Sequence, residues 1–291
     1  MKVCSSMYRR GLLLVVACVL SVIASADDGQ TFRVCADPNN LPFSAKSRDG
    51  LENKIAEIWA RELGLSLQYT WFPQRRGFIR NTLKALDESG GAYKCDVVMG
   101  VAAGFDQLMT TMPYYRSTYA LVFVKGRGLD DVTSGRQFVN LNPEVRDQLK
   151  IGAFTPTPGV KWLARYGMTE QLVAFVAMSG DPEAYPGEII EKELASGNLD
   201  AAIVWGPIAG FFTKRAEDVK MVVIPLVSEP GIQFDFAISA GVRYGDGERK
   251  EILEGLIRST AAPMREVLEA YNVPLLDPVR ATNTAQLPDD D

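Results

Sequence analysis

The sequence predicts an α/β protein of two lobes, each built on a mainly parallel β-sheet with flanking helices. The prediction rests on a pattern that occurs twice. Asp96-Val97-Val98-Met99-Gly100 and Asp200-Ala201-Ala202-Ile203-Val204-Trp205-Gly206 each lead from an Asp through a short apolar run to a Gly. Such runs are typical of strands that are buried on both faces of a parallel sheet. Each run closes a series of alternating strands and helices, which implies right-handed crossovers.

The first series begins at residue 31. We expect strands at 31–36, 65–71, 97–101 and 118–124, helices at 51–63 and 77–86, and a short helix at 106–109. Gly64 ends the first helical pattern. The loop 37–43 contains two Pro and two Asn, a composition that opposes regular structure.

The second series, 128–232, repeats the alternation. We expect strands at 149–154, 172–177 and 201–205, a short helix that Asn142 caps, and helices at 160–166 and 185–196. The chain then returns through a strand at 233–242 to a helix at 246–271 that is broken at Pro263.

The chain therefore crosses between the halves twice, near 122–126 and near 233–239. Two crossings are typical of hinged lobes. We assign 27–125 together with 234–291 to lobe 1, and 126–233 to lobe 2. The polar tail from Arg280, which ends in three acidic residues, is expected to be disordered or to serve as a partner arm.

Residues 1–26 have the features of a signal peptide. Basic residues precede an apolar run at 12–23, and Ala24-Ser25-Ala26 supplies the small residues that signal peptidase needs. An uncleaved anchor is one alternative, but the run is short for a membrane span. The other is a lipobox ending at Cys18, although the residues after Cys18 stay apolar. We favour cleavage and export to the periplasm.

Composition excludes several function classes. Cleavage would remove three basic and no acidic residues, so the formal net charge would change from −5 to −8. An acidic chain is poorly suited to nucleic acid or an anionic membrane. The chain has no His, which excludes Ser-His-Asp and Cys-His nucleophiles and removes the commonest zinc ligand. We predict no catalytic residues, no metal site and no cofactor.

Two cysteines, Cys35 and Cys95, remain after cleavage. An exported chain with two cysteines, each in or just before a predicted strand, is expected to form one disulfide. A redox pair is the alternative, but the sequence has neither a Cys-x-x-Cys motif nor an activating His.

Ligands of open parallel sheets bind beyond the carboxyl ends of the strands. That rule selects the loops at 37–43, 71–74, 100–104, 154–159 and 205–207, which are rich in aromatic residues. Rings at these positions favour an apolar or aromatic binding surface.

Three stretches resemble the MxaJ/XoxJ family: residues 35–43, 70–78 and 113–119, with the sequences CADPNNLPF, TWFPQRRGF and PYYRSTY. The resemblance extends over the expected mature chain to about residue 275. It implies the type II periplasmic binding protein fold, a role in methanol or alcohol oxidation, and a PQQ-dependent dehydrogenase as the partner. Amino-acid-binding proteins of this fold carry a Thr-x-x-Arg that clamps the ligand carboxylate. Here the corresponding stretch is Ala102-Ala103-Gly104-Phe105-Asp106, without Arg.

These considerations predict a non-enzymatic protein that binds a periplasmic PQQ-dependent methanol or alcohol dehydrogenase, or its cofactor-free form, and assists its maturation or activation. A substrate-binding protein of an ABC transporter is the alternative, and a small ligand in the cleft is left open. The predicted cleft or partner-binding residues are Asp37, Asn39, Phe43, Trp71, Phe72, Gln74, Arg75, Tyr114, Tyr115, Arg116, Phe154, Thr155 and Trp205. Core packing, turn formation and hinge packing are the structural alternatives for these side chains.

Overall fold

Most of the β-structure belongs to one hydrogen-bonded series in the computed structural model, which describes residues 31–177, 181 and 183–276. The expected signal peptide, Cys18 and the acidic tail lie outside the described residues. The strands are β1 (Thr31–Ala36), β2 (Asn39–Asn40), β3 (Ser44–Ala45), β4 (Ser66–Trp71), β5 (Val97–Ala102), β6 (Met109–Thr110), β7 (Tyr115–Val124), β8 (Ile151–Thr155), β9 (Leu172–Val176), β10 (Ala201–Trp205), β11 (Met221–Pro225) and β12 (Asp235–Val242).

Helices alternate with these strands along the chain. They are α1 (Leu51–Leu63), α2 (Phe78–Asn81), α3 (Gly135–Val139), α4 (Pro143–Arg146), α5 (Pro158–Arg165), α6 (Gly206–Arg215), α7 (Gly247–Ser259) and α8 (Ala261–Ala270), with a π-helix at Ile189–Leu194. Asn142 caps α4 through a hydrogen bond from Glu144 N, as the sequence predicts. Among the described residues, no helix is long and apolar enough to cross a membrane.

The strand order is β4-β1-β5-β12-β7-β10-β8-β9. The first three strands are parallel, and so are the last three. Between these two parallel groups, β12 and β7 run antiparallel to their neighbours. The predicted fold is therefore confirmed: two mainly parallel sheet halves are joined through two strands.

Strand β7 belongs to both halves. Its residues 115–118 pair with 235–238 of β12, whereas 119–123 pair with β10 and 120–124 with β11. The change of partner falls near Tyr119, which is earlier in the chain than the crossing expected at 122–126. Burial explains the shift, since Ala120 to Phe123 already lie in the interior of the second half.

Separate hydrophobic cores fill the two halves. The first core contains Trp59 of α1 and residues of β1, β5, α7 and α8. On one face of the second sheet half, Phe123, Phe138 and Trp162 pack together; on the other face, Ile190 and Phe212 do so. The buried residues of each core come mainly from one half. We therefore keep 27–125 with 234–291 and 126–233 as our proposal for the two lobes.

The loop 37–43 is more regular than its composition indicates. Asn39 pairs with Ala45 and Asn40 with Ser44, so β2 and β3 form a small ladder. The Ser44 hydroxyl donates to Asp37 O and accepts from Asp37 N, which closes this hairpin. The expectation of no regular structure is wrong because these local bonds satisfy the backbone.

The helix expected at 77–86 is shortened to α2. Thr82 donates its hydroxyl to Phe78 O and leaves the helical conformation. The chain then forms a bridge between Leu86 and Tyr93 and buries Leu83 beside the cysteines. Tertiary packing therefore overrides the helical periodicity of this segment.

The C-terminal helix breaks at Thr260 instead of Pro263. The Thr260 hydroxyl donates to Leu256 O and accepts from Trp59 Nε1, which fixes the junction of α7 and α8. Pro263 lies in the first turn of α8, where its missing N–H leaves no bond unmade.

Further elements differ from expectation. The helix expected at 185–196 contains a π-helix at its centre, and 106–108 forms a turn that leads into β6 in place of a short helix. Helices α3 and α6 and strand β11 had no sequence prediction. Helix α6 begins with Gly206-Pro207 and contains Gly210, which lowers its intrinsic helix propensity.

Candidate functional site

A cavity of about 550 Å³ lies between the two halves. The first half contributes residues of 37–43 and 73–75, and the second contributes residues of 154–157 and of the segment from Phe175 to Ile189. Tyr119 of β7, Trp205 of β10 and Ile208 of α6 complete the lining. The cavity therefore lies at the carboxyl ends of β1, β4, β8, β9 and β10, which is where ligands of such sheets bind.

Seven of the predicted site residues line this cavity. They are Asp37, Asn39, Phe43, Gln74, Arg75, Phe154 and Trp205. The remaining six do not line it.

Trp71 and Phe72 pack against the body of the first half. Trp71 stacks on Tyr69 with ring centroids 4.6 Å apart. Phe72 lies beside Phe78 at 6.5 Å and beneath the Arg75 guanidinium at 5.7 Å. Phe72 thus connects the core near the cysteines to a residue that lines the cavity.

Tyr114 and Tyr115 lie in the first hydrophobic core. The Tyr114 hydroxyl accepts a hydrogen bond from Gly100 N at 3.0 Å, and its ring meets Trp59 edge-on. Burial is the main reason that the pKa of Tyr115 is raised, with the nearby Glu52 carboxyl adding to the shift. Both side chains therefore pack in the interior of the first half and do not line the cavity.

Arg116 and Thr155 occupy two further positions. The Arg116 guanidinium donates to Asp235, so an ion pair joins β7 to β12 where the chain passes between the halves.

Thr155 lines a second groove with Pro156, Ile232 and Phe236. Phe236 packs edge-on against Trp205, with ring centroids 5.9 Å apart, so these rings lie between the groove and the cavity.

Several cavity residues had no sequence prediction. Asn40, Phe175, Tyr185 and Ile208 line it beside the predicted residues. Phe175 lies at the end of β9, so the strand-end rule could have identified it. Tyr185 follows no strand and carries no signal in the sequence.

The charged side chains that line the cavity all have partners within the protein. The Asp37 carboxylate accepts from the backbone N–H groups of Asn39 and Gln74. Glu188 pairs with Lys192 at 2.7 Å, and Asp181 accepts from Glu183 N at 2.9 Å. The Arg75 guanidinium lies over the Phe72 ring, so an ionic ligand would have to compete with contacts that these side chains already make.

A carboxyl group of the first half has an unusual environment. Glu52 of α1 lies against Gly100, where an added Cβ would come within 1.9 Å of Glu52 Oε1. Desolvation raises the pKa of Glu52 to about 8. Burial raises the pKa values of Tyr69, Tyr114 and Tyr115, and Glu52 raises them further because it is ionised in the alkaline range where tyrosines titrate. Glu52 is therefore an uncharged acid at neutral pH.

The predicted disulfide is confirmed. Cys35 and Cys95 are bonded with Cα atoms 5.4 Å apart, and both residues are buried. Within the part of the chain that the structure describes, no cluster of three or more His, Cys, Asp or Glu residues could hold a metal ion.

The sheet order, the paired cores and the cavity between the halves define a periplasmic binding protein. The structure resembles that of the periplasmic binding protein XoxJ from Methylobacterium extorquens AM1, with 35% sequence identity, a TM-score of 0.68, and coverage of 85% of this chain and 100% of that chain. The chain belongs to the MxaJ/XoxJ family of periplasmic binding proteins, as its three motifs predict.

One further solved structure shares the fold, and one further relative is similar in sequence. The structure of MxaJ from Methlophaga aminisulfidivorans MPT matches with a TM-score of 0.70 at 24% identity, over 84% of this chain and 100% of that one. Protein MoxJ from Paracoccus denitrificans is 27% identical over 259 residues, which are 86% of this chain and 90% of MoxJ. No family model matches the chain.

Proposed function

We propose that this protein is a non-enzymatic periplasmic component of methanol or alcohol oxidation that binds a PQQ-dependent dehydrogenase and assists its maturation or activation. Membership of the MxaJ/XoxJ family is the observation that carries the proposal. The dehydrogenase, or its cofactor-free form, is the partner that the family resemblance implies.

The lining of the cavity supports binding without transport or catalysis. Six aromatic residues line it, and its charged side chains are engaged within the protein. The described residues contain no histidine, and the stretch after β5 carries no arginine to receive a carboxylate. A rigid, aromatic surface is typical of protein interfaces and of apolar ligand sites.

Contacts between the halves also support a docking role. On one side, Leu41 and Phe43 of the first half pack against the core of the second. On another, Tyr271 stacks on Phe211 of α6 at 5.5 Å, and Asn272 donates to Gly210 O. These contacts join the two halves at two separate places.

Affinity capture tests the proposal. The tagged protein should recover a PQQ-dependent dehydrogenase from periplasmic extract, and the purified pair should associate in calorimetry. Phe154→Ala, which removes a cavity ring, should weaken this association at least tenfold. Tyr244→Ala removes a more exposed ring outside the cavity and is the matched control. Failure of correctly folded protein to bind the dehydrogenase in either form would refute the proposal.

A transport receptor is the second candidate, because the fold and the cavity size both suit a small solute. A transported solute should raise the melting temperature by mass action. It should also leave dehydrogenase binding unaffected. A screen of alcohols, amino acids and sugars that gives no thermal shift would count against this candidate.

A further inference from the structure

We infer that the cavity binds an uncharged, ring-bearing group that presents a hydrogen-bond donor beside an acceptor, as an aromatic amide does. The inference rests on the proposed function, since it concerns the same cavity, and it names the chemistry that this cavity accepts. The group could be a free small molecule or an aromatic side chain with its flanking backbone amide in the partner.

The walls supply the surface for a ring. Phe154 and Phe175 meet edge-on with centroids 6.1 Å apart, and Trp205 meets Tyr119 at 5.3 Å. Each of these rings is therefore packed against another ring of the protein. Aromatic rings prefer offset or edge-on partners, which a flat ligand ring can provide.

The charged side chains of the lining already have contacts within the protein. Asp37 is bound by two backbone N–H groups, Glu188 is bound by Lys192, and Arg75 lies over the Phe72 ring. A ligand carboxylate or ammonium would have to shed its water and compete with these contacts, whereas an uncharged group would not. Desolvation of an unpaired charge is among the largest penalties in a protein site.

Two side-chain amides of the cavity, those of Asn40 and Gln74, keep hydrogen-bonding atoms without a protein partner among the described residues. Asn40 Nδ2 donates to Gln74 Oε1 at 2.6 Å. This bond leaves Asn40 Oδ1 as an acceptor and Gln74 Nε2 as a donor, and no other described residue bonds to either. Reversing both amides would still leave one donor and one acceptor.

A donor and an acceptor side by side match the edge of an amide. A ligand amide could donate its N–H to Asn40 and accept from Gln74 through its carbonyl oxygen. The cavity volume of about 550 Å³ lies within the usual range of small-molecule sites. The space therefore suits a bicyclic ring, or one ring with flanking chain.

Three probes with one ring system test the charge requirement. Indole-3-acetamide, indole-3-acetate and tryptamine carry an amide, a carboxylate and an ammonium on the same indole. Calorimetry on the full mature chain should show the amide binding at least tenfold more tightly than either ion. Equal or tighter binding of the acetate or of tryptamine would overturn the inference, and so would the absence of amide binding at millimolar concentration.

Two variants test the amide pair. Gln74→Met keeps the side-chain length but removes the donor, and it should weaken indole-3-acetamide binding about tenfold. Gln68→Met is the control, because Gln68 is exposed on β4 outside the cavity. Melting temperatures establish that both variants fold. Unchanged amide affinity in folded Gln74→Met would refute the role of the pair.

Competition distinguishes the two sources of the group. If the partner supplies it, N-acetyl-tryptophanamide should bind, and indole-3-acetamide should displace the dehydrogenase. If the group is a free molecule, both complexes should form together. Amide binding without any dehydrogenase binding would refute the proposed function alone. Dehydrogenase binding without amide binding would refute this inference alone.

Discussion

Asn39 donates a hydrogen bond from Nδ2 to the backbone oxygen of Glu183 over 3.3 Å, which joins the two halves of the molecule at the edge of the cavity. Asn39 belongs to the first half through its pairing with Ala45, whereas Glu183 lies in the segment that leads to the π-helix of the second. The loop 37–43, predicted as a ligand-contacting loop, thus also contacts the opposite half.

We therefore expect Asn39→Ala to loosen the cavity edge without unfolding the protein. A single neutral hydrogen bond contributes about 1 kcal/mol, so the melting temperature should fall by only a few degrees. Amide hydrogen exchange at residues 184–189 should increase several-fold relative to the wild type. Asn198→Ala, which removes a surface bond to Glu193, should leave that exchange unchanged.

The opposite side of the junction depends on a close approach that only glycine permits. A Cβ at Gly210 would lie 1.8 Å from Asn272 O, so α6 and the chain after α8 could not keep their separation. Gly210→Ala should cost about 1–3 kcal/mol through overpacking. Gly255 of α7 has open space around its Cβ position, so Gly255→Ala should stabilise by about 0.5–1 kcal/mol. Denaturant unfolding measures both, and equal shifts would contradict the packing argument.

Glu52 predicts an unusual pH dependence of stability. Its pKa is about 8 in the folded protein and 4.5 in the unfolded chain, so between these values only the folded state keeps the proton. Stability should therefore fall as the pH rises from about 5 to 8, by an amount of the order of a few kcal/mol, and then level off. With no histidine in the chain, few other groups titrate in this window.

Glu52→Gln tests this directly, because it keeps the shape of the side chain and removes the proton. The variant should be more stable than the wild type at pH 8 and equal to it below pH 4.5. Urea unfolding at five pH values between 4 and 9 gives both curves. A wild-type curve parallel to that of the variant would show that Glu52 titrates normally.

The disulfide should contribute strongly to the first half. It spans 60 positions in the sequence, and the chain-entropy model gives about 4 kcal/mol for a loop of this length. Replacing Cys35 and Cys95 together by Ser should lower the midpoint of chemical unfolding accordingly. Full stability in the double variant, or in reduced wild-type protein, would contradict this expectation.

Among the elements of the fold, the central strands were the easiest to predict from the sequence, because they are apolar throughout. The runs that became β5 and β10 contain no polar side chain, so periodicity and length suffice to identify them. Helix α6 was not predicted because its glycines, which lower helix propensity, are needed for contact with Thr118 and Asn272. That need arises only once the two halves meet.

The residues of the candidate site also differ in how far the sequence can predict them. Strand-end loops are local in sequence, and they place Asp37, Phe43 and Phe154 in the cavity. Whether an aromatic residue beside such a loop turns inward depends on tertiary packing. Tyr114 turns into the core against Trp59, which the motif at 113–119 could not reveal.

The repeated Asp that precedes each central strand has different roles in the two halves. The sequence predicts that both cap turns. Asp200 accepts from Lys150 N at 2.8 Å, so its carboxylate joins the starts of β10 and β8 instead of capping its own turn. Asp96 is instead 2% exposed and pairs with Arg33 at 2.9 Å and Arg243 at 3.1 Å. The difference follows from burial, since a carboxylate removed from water requires counter-charges.

Substitution by Asn should therefore separate the two positions. Asp96→Asn removes the carboxylate that Arg33, Arg243 and the more distant Arg249 share, and it should cost about 3–5 kcal/mol, the range for breaking a buried pair. Asp200→Asn keeps an acceptor for Lys150 N and should cost about 1 kcal/mol or less. Thermal or urea unfolding compares them. Similar losses at both sites would contradict this, because they would mean that solvent compensates the arginines when the Asp96 carboxylate is removed.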